Sequence, residues 1–317
     1  MASEPTIQEI RAAAERIRPY VHRTPVLTCS TLNRLCHAEL FFKCENLQKA
    51  GSFKIRGATN AVFSLPEEEA ARGVATHSSG NHAAALALAA HWRGIRAYVV
   101  MPQDAPQVKQ NAVAGYGAEI TFCQPTSQAR EETLAKMVAR TGAAVVHPSN
   151  DYRVIAGQGT AALELLEEVP DLDVLMAPVG GGGLLSGTAL TVAALSPHTA
   201  VIGAEPEKAD DAYRSLQTGH IVPQEHPDTI ADGLRTSLGD KTFPIIQRHV
   251  RGIVTVSEEA IVEAMRLIWE RMKLVVEPSA AVPLGALLSR RGEIQGQRMG
   301  IILSGGNVDL ARLPWVS

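Results

Sequence analysis

Lys54 follows Phe53 in the run Gly51-Ser52-Phe53-Lys54 and stands just before a helix-forming stretch over residues 58–63. An ammonium at a helix start beside an apolar ring is opposed by burial and by the positive end of the helix dipole, so its pKa falls. The neutral amine that results is a nucleophile able to form a Schiff base with an aldehyde. Four consecutive glycines, Gly180, Gly181, Gly182 and Gly183, directly follow an apolar run over 174–179 and directly precede a helical pattern over 184–195. Bare backbone N–H groups can converge on an anion there, so the spacing predicts a phosphate cradle. The run is not GxxxxGK[ST], and no GxGxxG with an acidic residue about 20 positions on makes a dinucleotide fingerprint. Ser78, Ser79, Gly80, Asn81 and His82 set hydroxyls and N–H groups at a second predicted helix start, and Ser304 ends an apolar strand over 299–303. Strand C-terminal ends are where open α/β sheets place their ligands. Glu205, Asp210 and Asp211 cluster after another strand, and carboxylates with a nearby carbonyl suit a hard divalent cation such as Mg²⁺ or Ca²⁺. Arg130, at the opening of a helix over 129–140, can grip a carboxylate through both prongs of its guanidinium. The run His147-Pro148-Ser149-Asn150-Asp151 is a further substrate-side candidate.

The elements that position these groups are legible from periodicity. Thr6-Ile7-Gln8-Glu9 reads as a capping box, followed by apolar residues at helical spacing until Pro19. A short strand over 40–43 delivers the lysine loop. From residue 73 the chain alternates strand and helix: strands over 74–77, 97–101, 119–123 and 143–146, helices over 83–92, 106–116 and 129–140. The second half repeats the pattern, with a helix over 157–169, strands over 174–179 and 200–204, and a helix capped by Ser257. Such alternation predicts parallel βαβ units. We read residues 1–72 and 151–317 as a large domain and 73–150 as a small α/β domain.

With 317 residues, 45% hydrophobic and 20% charged, the chain is long enough for two lobes of a soluble α/β protein. A net charge of −3 offers no footprint for nucleic acid or anionic membrane, so any phosphate must be held locally. The four cysteines, Cys29, Cys36, Cys44 and Cys123, have neither CxxC pairing nor a histidine-rich neighbourhood, which argues against a zinc site or disulfide framework. With no basic apolar leader and no apolar run approaching about 18 residues, a cytoplasmic location is expected.

Taken together, Ser52-Phe53-Lys54-Ile55-Arg56-Gly57-Ala58, Ser78-Ser79-Gly80-Asn81-His82, the four glycines and Ser304-Gly305-Gly306-Asn307 resemble the fold-type II pyridoxal-phosphate enzymes. The similarity is strongest to the group of serine racemases, threonine dehydratases and 3-hydroxyaspartate dehydratases, and it spans nearly the whole chain. The resemblance implies a two-domain α/β fold similar to tryptophan synthase β, with open parallel sheets and helices on both faces. It implies pyridoxal 5'-phosphate on Lys54, packed by Phe53, with its phosphate on Gly180–Gly183, its pyridine nitrogen facing Ser304 and its ring oxygen near Asn81. Ser78, Ser79, Gly80, Asn81 and His82 are implied to bind the substrate carboxylate, and Thr236 to contact substrate. Ser79 aligns with the acid/base group that faces the substrate opposite the lysine in the racemases. The side chains of Glu205 and Asp211 and the carbonyl of Ala209 align with that branch's metal ligands. A homodimer is implied as well, and a nucleotide effector is left open. The implied reaction is β-elimination from serine, threonine or 3-hydroxyaspartate to a 2-oxo acid and ammonia, with amino-acid racemisation as the alternative.

Overall fold

The computed structural model describes residues 3–78, 80–105, 107–290 and 294–315, without the side chains of Val108 and Ser127. Its strands are β1 (Val26–Leu27), β2 (Glu39–Cys44), β3 (Val74–His77), β4 (Ala97–Pro102), β5 (Glu119–Cys123), β6 (Ala144–Val145), β7 (Val174–Pro178), β8 (Ala200–Pro206), β9 (Gly252–Val256) and β10 (Arg298–Leu303). They form a six-stranded sheet of order β1-β2-β10-β7-β8-β9 and a four-stranded sheet of order β5-β4-β3-β6. Every pairing between them is parallel except the short β1–β2 edge, where Val26 opposes Lys43.

Parallel sheets are built from helical crossovers, and both faces are therefore covered. Met299, Ile301 and Leu303 of β10 pack on one side, against Ile261 and Met265 of helix Glu258–Leu267 and Leu284 and Leu287 of helix Pro278–Ser289. Ile302 turns to the other side, against Leu165 of helix Tyr152–Glu168 and Leu185 of helix Gly183–Leu195. The period of two along the strand thus feeds two cores at once.

The bounds read from periodicity shift at several ends. The helix expected from residue 157 begins at Tyr152, because Asp151 caps it by accepting the Arg153 N–H. The helix expected over 129–140 spans Ser127–Thr141 with Thr126 as its cap. The strand expected over 143–146 shortens to Ala144–Val145. The helix expected over 106–116 is described as Gln107–Gly115, and Pro106 lies outside the described residues. Thr6 and Glu9 form the capping box that their spacing predicts.

Two features fix helix Lys54–Phe63, which carries the lysine. First, Arg56 meets Glu45 through two prongs, Nε to Oε2 at 2.7 Å and Nη2 to Oε1 at 2.8 Å, and Glu164 at 2.8 Å. Lys43 donates to Glu164 at 2.7 Å and to the Thr24 carbonyl at 2.7 Å. Two cations and two carboxylates thus neutralise one another where Lys43, Glu45 and Arg56 have no solvent exposure. Second, glycines let three helices approach at backbone distance. A Cβ at Gly157 would lie 2.6 Å from the Cα of Gly57, and one at Gly187 would lie 2.5 Å from the N of Gly159. Helix Tyr152–Glu168 is therefore sandwiched directly between helix Lys54–Phe63 and helix Gly183–Leu195.

Removing one partner of a buried pair strands the other's charge. Arg56→Leu is expected to lower unfolding free energy by about 3–5 kcal/mol in urea titration. A loss below about 1 kcal/mol would show that the quartet does not hold this helix.

Candidate active site

Lys54 is the first residue of its helix, and the loop before it is stitched to the end of β10. The Phe53 N–H donates to the Ser304 carbonyl at 3.0 Å, and Ser52 bridges Gly305. Ser304, only 2% exposed, is thereby brought beside the lysine. The Lys54 amine sits on the floor of a cavity of about 340 Å³, donates to the Pro148 carbonyl at 2.9 Å, and lies 5.1 Å from the Phe53 ring centre. Burial lowers its pKa to about 8, with the Glu277 carboxylate pulling the other way. A substantial share of the amine is then neutral near physiological pH, as a nucleophile or proton acceptor requires.

Gly180, Gly181, Gly182 and Gly183 line the same cavity at the end of β7 and open the 13-residue helix Gly183–Leu195. A side chain at these positions would crowd its neighbours or strain the backbone. A Cβ at Gly181 would fall 2.2 Å from Ser149 Oγ, one at Gly180 3.0 Å from the Gly233 carbonyl, and Gly182 adopts φ +80°. What remains is backbone N–H at a helix N-terminus, a built anion site.

Ser78, Gly80, Asn81 and His82 line a third wall, between β3 and helix Asn81–Arg93. The Gly80 N–H donates to Ser78 Oγ at 3.3 Å. Asn81 is held on both sides of its amide: its Nδ2 donates to Glu277 at 2.9 and 3.0 Å, and its Oδ1 accepts from Asn307 at 3.0 Å. His82 is buried, with Nε2 3.0 Å from the Val146 carbonyl, and burial with the nearby Lys54 lowers its pKa to about 3. Thr236 and Arg130 also line the cavity. Arg130 Nε is buried without a hydrogen-bond partner, and among the described residues the guanidinium joins no ion pair. Ser79 lies outside the described residues.

Glu205, Ala209 and Asp211 lie apart from this lining, at the end of β8 and the start of helix Asp211–Thr218, and all three are buried. Glu205 accepts the N–H groups of Ala212 at 3.2 Å and Tyr213 at 2.6 Å, and Asp211 accepts that of Leu238 at 3.3 Å. Burial and the neighbouring Asp211 push Glu205 up to about 9, and burial pushes Asp211 up to about 7. Among the described residues no three His, Cys, Asp or Glu side chains gather at metal-binding distance. The set implied for this position has only two such side chains and a carbonyl.

Several cavity residues escaped the sequence reading, among them Glu277, His77, Lys109 and Asp232. Glu277, pushed up to about 7 by burial and by Asp232, stands at the N-cap position of helix Pro278–Ser289, its carboxylate turned to Asn81 and making no side-chain cap. An acidic residue before a proline at a helix start is a signal that could have found it. His77 ends β3 one residue before the turn already singled out. Lys109 and Asp232 form an ion pair across the cavity mouth, and no local pattern marks either. A second, shallow groove along helix Glu258–Leu267 is lined by Glu258, Glu259, Glu263 and Glu270 and contains none of the groups above.

A family profile described as pyridoxal-phosphate dependent enzyme matches residues 17–305. The chain is 55% identical over 311 residues to the beta-hydroxyaspartate dehydratase of Paracoccus denitrificans (strain Pd 1222), covering 98% of this chain and 99% of that protein. Among solved structures it is similar to the serine racemase of Dictyostelium discoideum, with 52% identity, TM-score 0.92, and 96% and 99% of the two chains covered. It is similar also to the T.th. threonine deaminase, with 48% identity, TM-score 0.93, and 97% and 100% covered.

The environment of Lys54 sets a measurable reactivity. In the unliganded protein, trapping with a small aldehyde and borohydride, read by peptide mass mapping, is expected to reach half its maximum at Lys54 near pH 8. A midpoint above about pH 10, that of a solvated lysine, would mean the amine is not desolvated.

Proposed function

The chain belongs to the pyridoxal-phosphate dependent enzyme family, and we propose that it converts a β-hydroxy amino acid, 3-hydroxyaspartate ahead of threonine or serine, to a 2-oxo acid and ammonia. The observation that carries the choice of substrate is Arg130, a guanidinium turned into the cavity with a buried Nε that nothing satisfies. A substrate with a second carboxylate satisfies it, and a methyl or hydrogen in that place leaves it unpaired. The 55% identity to a beta-hydroxyaspartate dehydratase points the same way.

The residues fit the cofactor. The glycine cradle, where an added Cβ would crowd its neighbours, suits a phosphate, and the lysine amine of lowered pKa suits an aldehyde. When bound, pyridoxal phosphate supplies the electron sink that stabilises negative charge on the substrate's α-carbon. We assign Gly180–Gly183 to its phosphate, Ser304 to its ring nitrogen, Phe53 to packing and Asn81, oriented by Glu277 and Asn307, to its ring oxygen. Ser78, Gly80 and His82, with Ser79, hold the α-carboxylate at the start of helix Asn81–Arg93. The Lys54 amine takes the α-proton, the β-hydroxyl leaves as water, and water then replaces the amine to release ammonia. We place the carboxylate turn on a smaller lobe, residues 73–150, and the cofactor on a larger one, in a cytoplasmic homodimer open to a nucleotide effector. Among the described residues no helix is long and apolar enough to cross a membrane.

Racemisation is the second reading, favoured by the 52% identity to a serine racemase. It needs a proton carrier on the face opposite Lys54, the role assigned to Ser79. We further assign Glu205, Asp211 and the Ala209 carbonyl to a divalent cation, Mg²⁺ or Ca²⁺. Two neighbouring buried carboxylates, both held above the usual carboxylate range, gain most from a cation between them.

Ammonia release, measured across L- and D-serine, L-threonine and the four 3-hydroxyaspartate isomers, is expected to show the highest kcat/KM for a hydroxyaspartate isomer. Arg130→Met should lower the ratio of kcat/KM for that isomer over threonine roughly 100-fold. Ammonia from none of them would refute the lyase reading, and chiral analysis of recovered serine separates the racemase. Mg²⁺ is expected to raise the melting temperature in a concentration-dependent way. The rise should vanish in the Glu205→Gln, Asp211→Asn double variant; its persistence there would place the cation elsewhere.

A further inference from the structure

His147 lies just beyond β6, in the turn that enters helix Tyr152–Glu168. Its Nδ1 accepts the backbone N–H of Ser149 at 3.2 Å and that of Asn150 at 2.8 Å. A ring nitrogen that accepts two N–H groups carries no proton of its own, so the imidazole is fixed as the neutral tautomer with its hydrogen on Nε2. With Nδ1 tied back to the turn, the Nε2 edge faces the other way, and His147 lines the cavity beside Pro148, whose carbonyl takes the Lys54 amine. The ring stands edge-on to His77, centroids 5.9 Å apart at 85°. His77, at the end of β3, in turn feels the charge of Arg130. Arg130, His77 and His147 all line this one cavity, the two imidazoles in ring contact. Glu131 borders it without pairing with Arg130 among the described residues.

We propose that His147 is a specificity-determining residue: its Nε2–H, together with the Arg130 guanidinium, holds the distal carboxylate of a dicarboxylic substrate, while the Ser78–His82 turn holds the α-carboxylate. The assignment rests on the two-carboxylate reading above and names the second donor of that subsite. A neutral donor is the suitable partner in this place. A second full positive charge would lower the Lys54 pKa further than burial already does and would reject the substrate's own ammonium. Burial and the surrounding His77 and Lys54 hold His147 neutral, with a pKa lowered to about 4. A substrate without the distal carboxylate leaves both donors unmatched, which is how a polar site discriminates strongly.

Two substitutions separate the donor from the turn that carries it. In His147→Asn the side-chain oxygen can replace Nδ1 as the acceptor for Ser149 and Asn150 while the outer N–H is lost. In His147→Gln an N–H is kept near the Nε2 position while the acceptor is lost. His147→Asn is expected to lower the kcat/KM ratio of 3-hydroxyaspartate over threonine roughly tenfold. It should weaken succinate binding, read calorimetrically on the holoenzyme, by a similar factor, and His147→Gln should retain more of both. An unchanged ratio in His147→Asn, or a larger loss in His147→Gln, would overturn the assignment. If Arg130→Met abolishes the preference and His147→Asn does not, only the role of His147 falls. If the unmodified enzyme shows no preference for 3-hydroxyaspartate, the two-carboxylate reading falls and takes this inference with it.

Discussion

Everything near Lys54 is referenced to a buried quartet of charges, Lys43, Glu45, Arg56 and Glu164. Taking four ions out of water is tolerable only when each is matched, and here the bidentate Arg56–Glu45 pair and the shared Glu164 leave no charge over. Because the partners come from β2, the turn after it, helix Lys54–Phe63 and helix Tyr152–Glu168, the same neutrality that permits burial also fixes the angle of the lysine helix. Arg56 is two residues from the amine. The network sets where that amine emerges and leaves its chemistry to the apolar surroundings.

On that frame the loops gather at one end. β3 delivers the Ser78 turn, β7 the glycine cradle and β10 Ser304, all from C-terminal strand ends, as parallel sheets dispose their ligands. Two sheets contribute, so the cavity is walled by the four-stranded sheet on one side and the six-stranded sheet on the other. The electrostatics of the pocket are set by exclusion of water as much as by charge. Lys54, His82 and His147 all lean toward their neutral forms, and Glu277 leans toward its own.

The parts of this arrangement that were legible in the sequence share a physical reason. The lysine turn, the four glycines and the serine after β10 are local signals, because backbone close to a ligand needs glycine and strand ends need polar turns. The capping box at Thr6 and the Ser257 cap are equally local. What stayed hidden was buried on all sides or assembled only in three dimensions. Helix Pro278–Ser289 has no polar face to give it a period, since nearly every side chain from Ser279 to Leu287 is inside, and it contains Pro283. Glu277, just before it, was marked only by the proline that follows. The Lys109–Asp232 pair joins residues 123 positions apart, and no one-dimensional pattern encodes such a meeting. The tautomer of His147 is of the same kind, set by two backbone N–H groups that only the fold supplies.

The glycine crossings along helix Tyr152–Glu168 act as a ruler. The lysine-bearing helix rests on one flank through Gly57 and Gly157, and the cradle-bearing helix on the other through Gly159 and Gly187, so at Gly157 and Gly187 main chain meets main chain directly. Rotamer hopping, the usual source of slack between packed helices, has no side chain to act on at those two points. The spacing of the two helices is therefore set there by backbone contact. A methyl added at Gly157 or Gly187 has only main chain to push against, so it would wedge two helices apart and misplace the amine relative to the cradle.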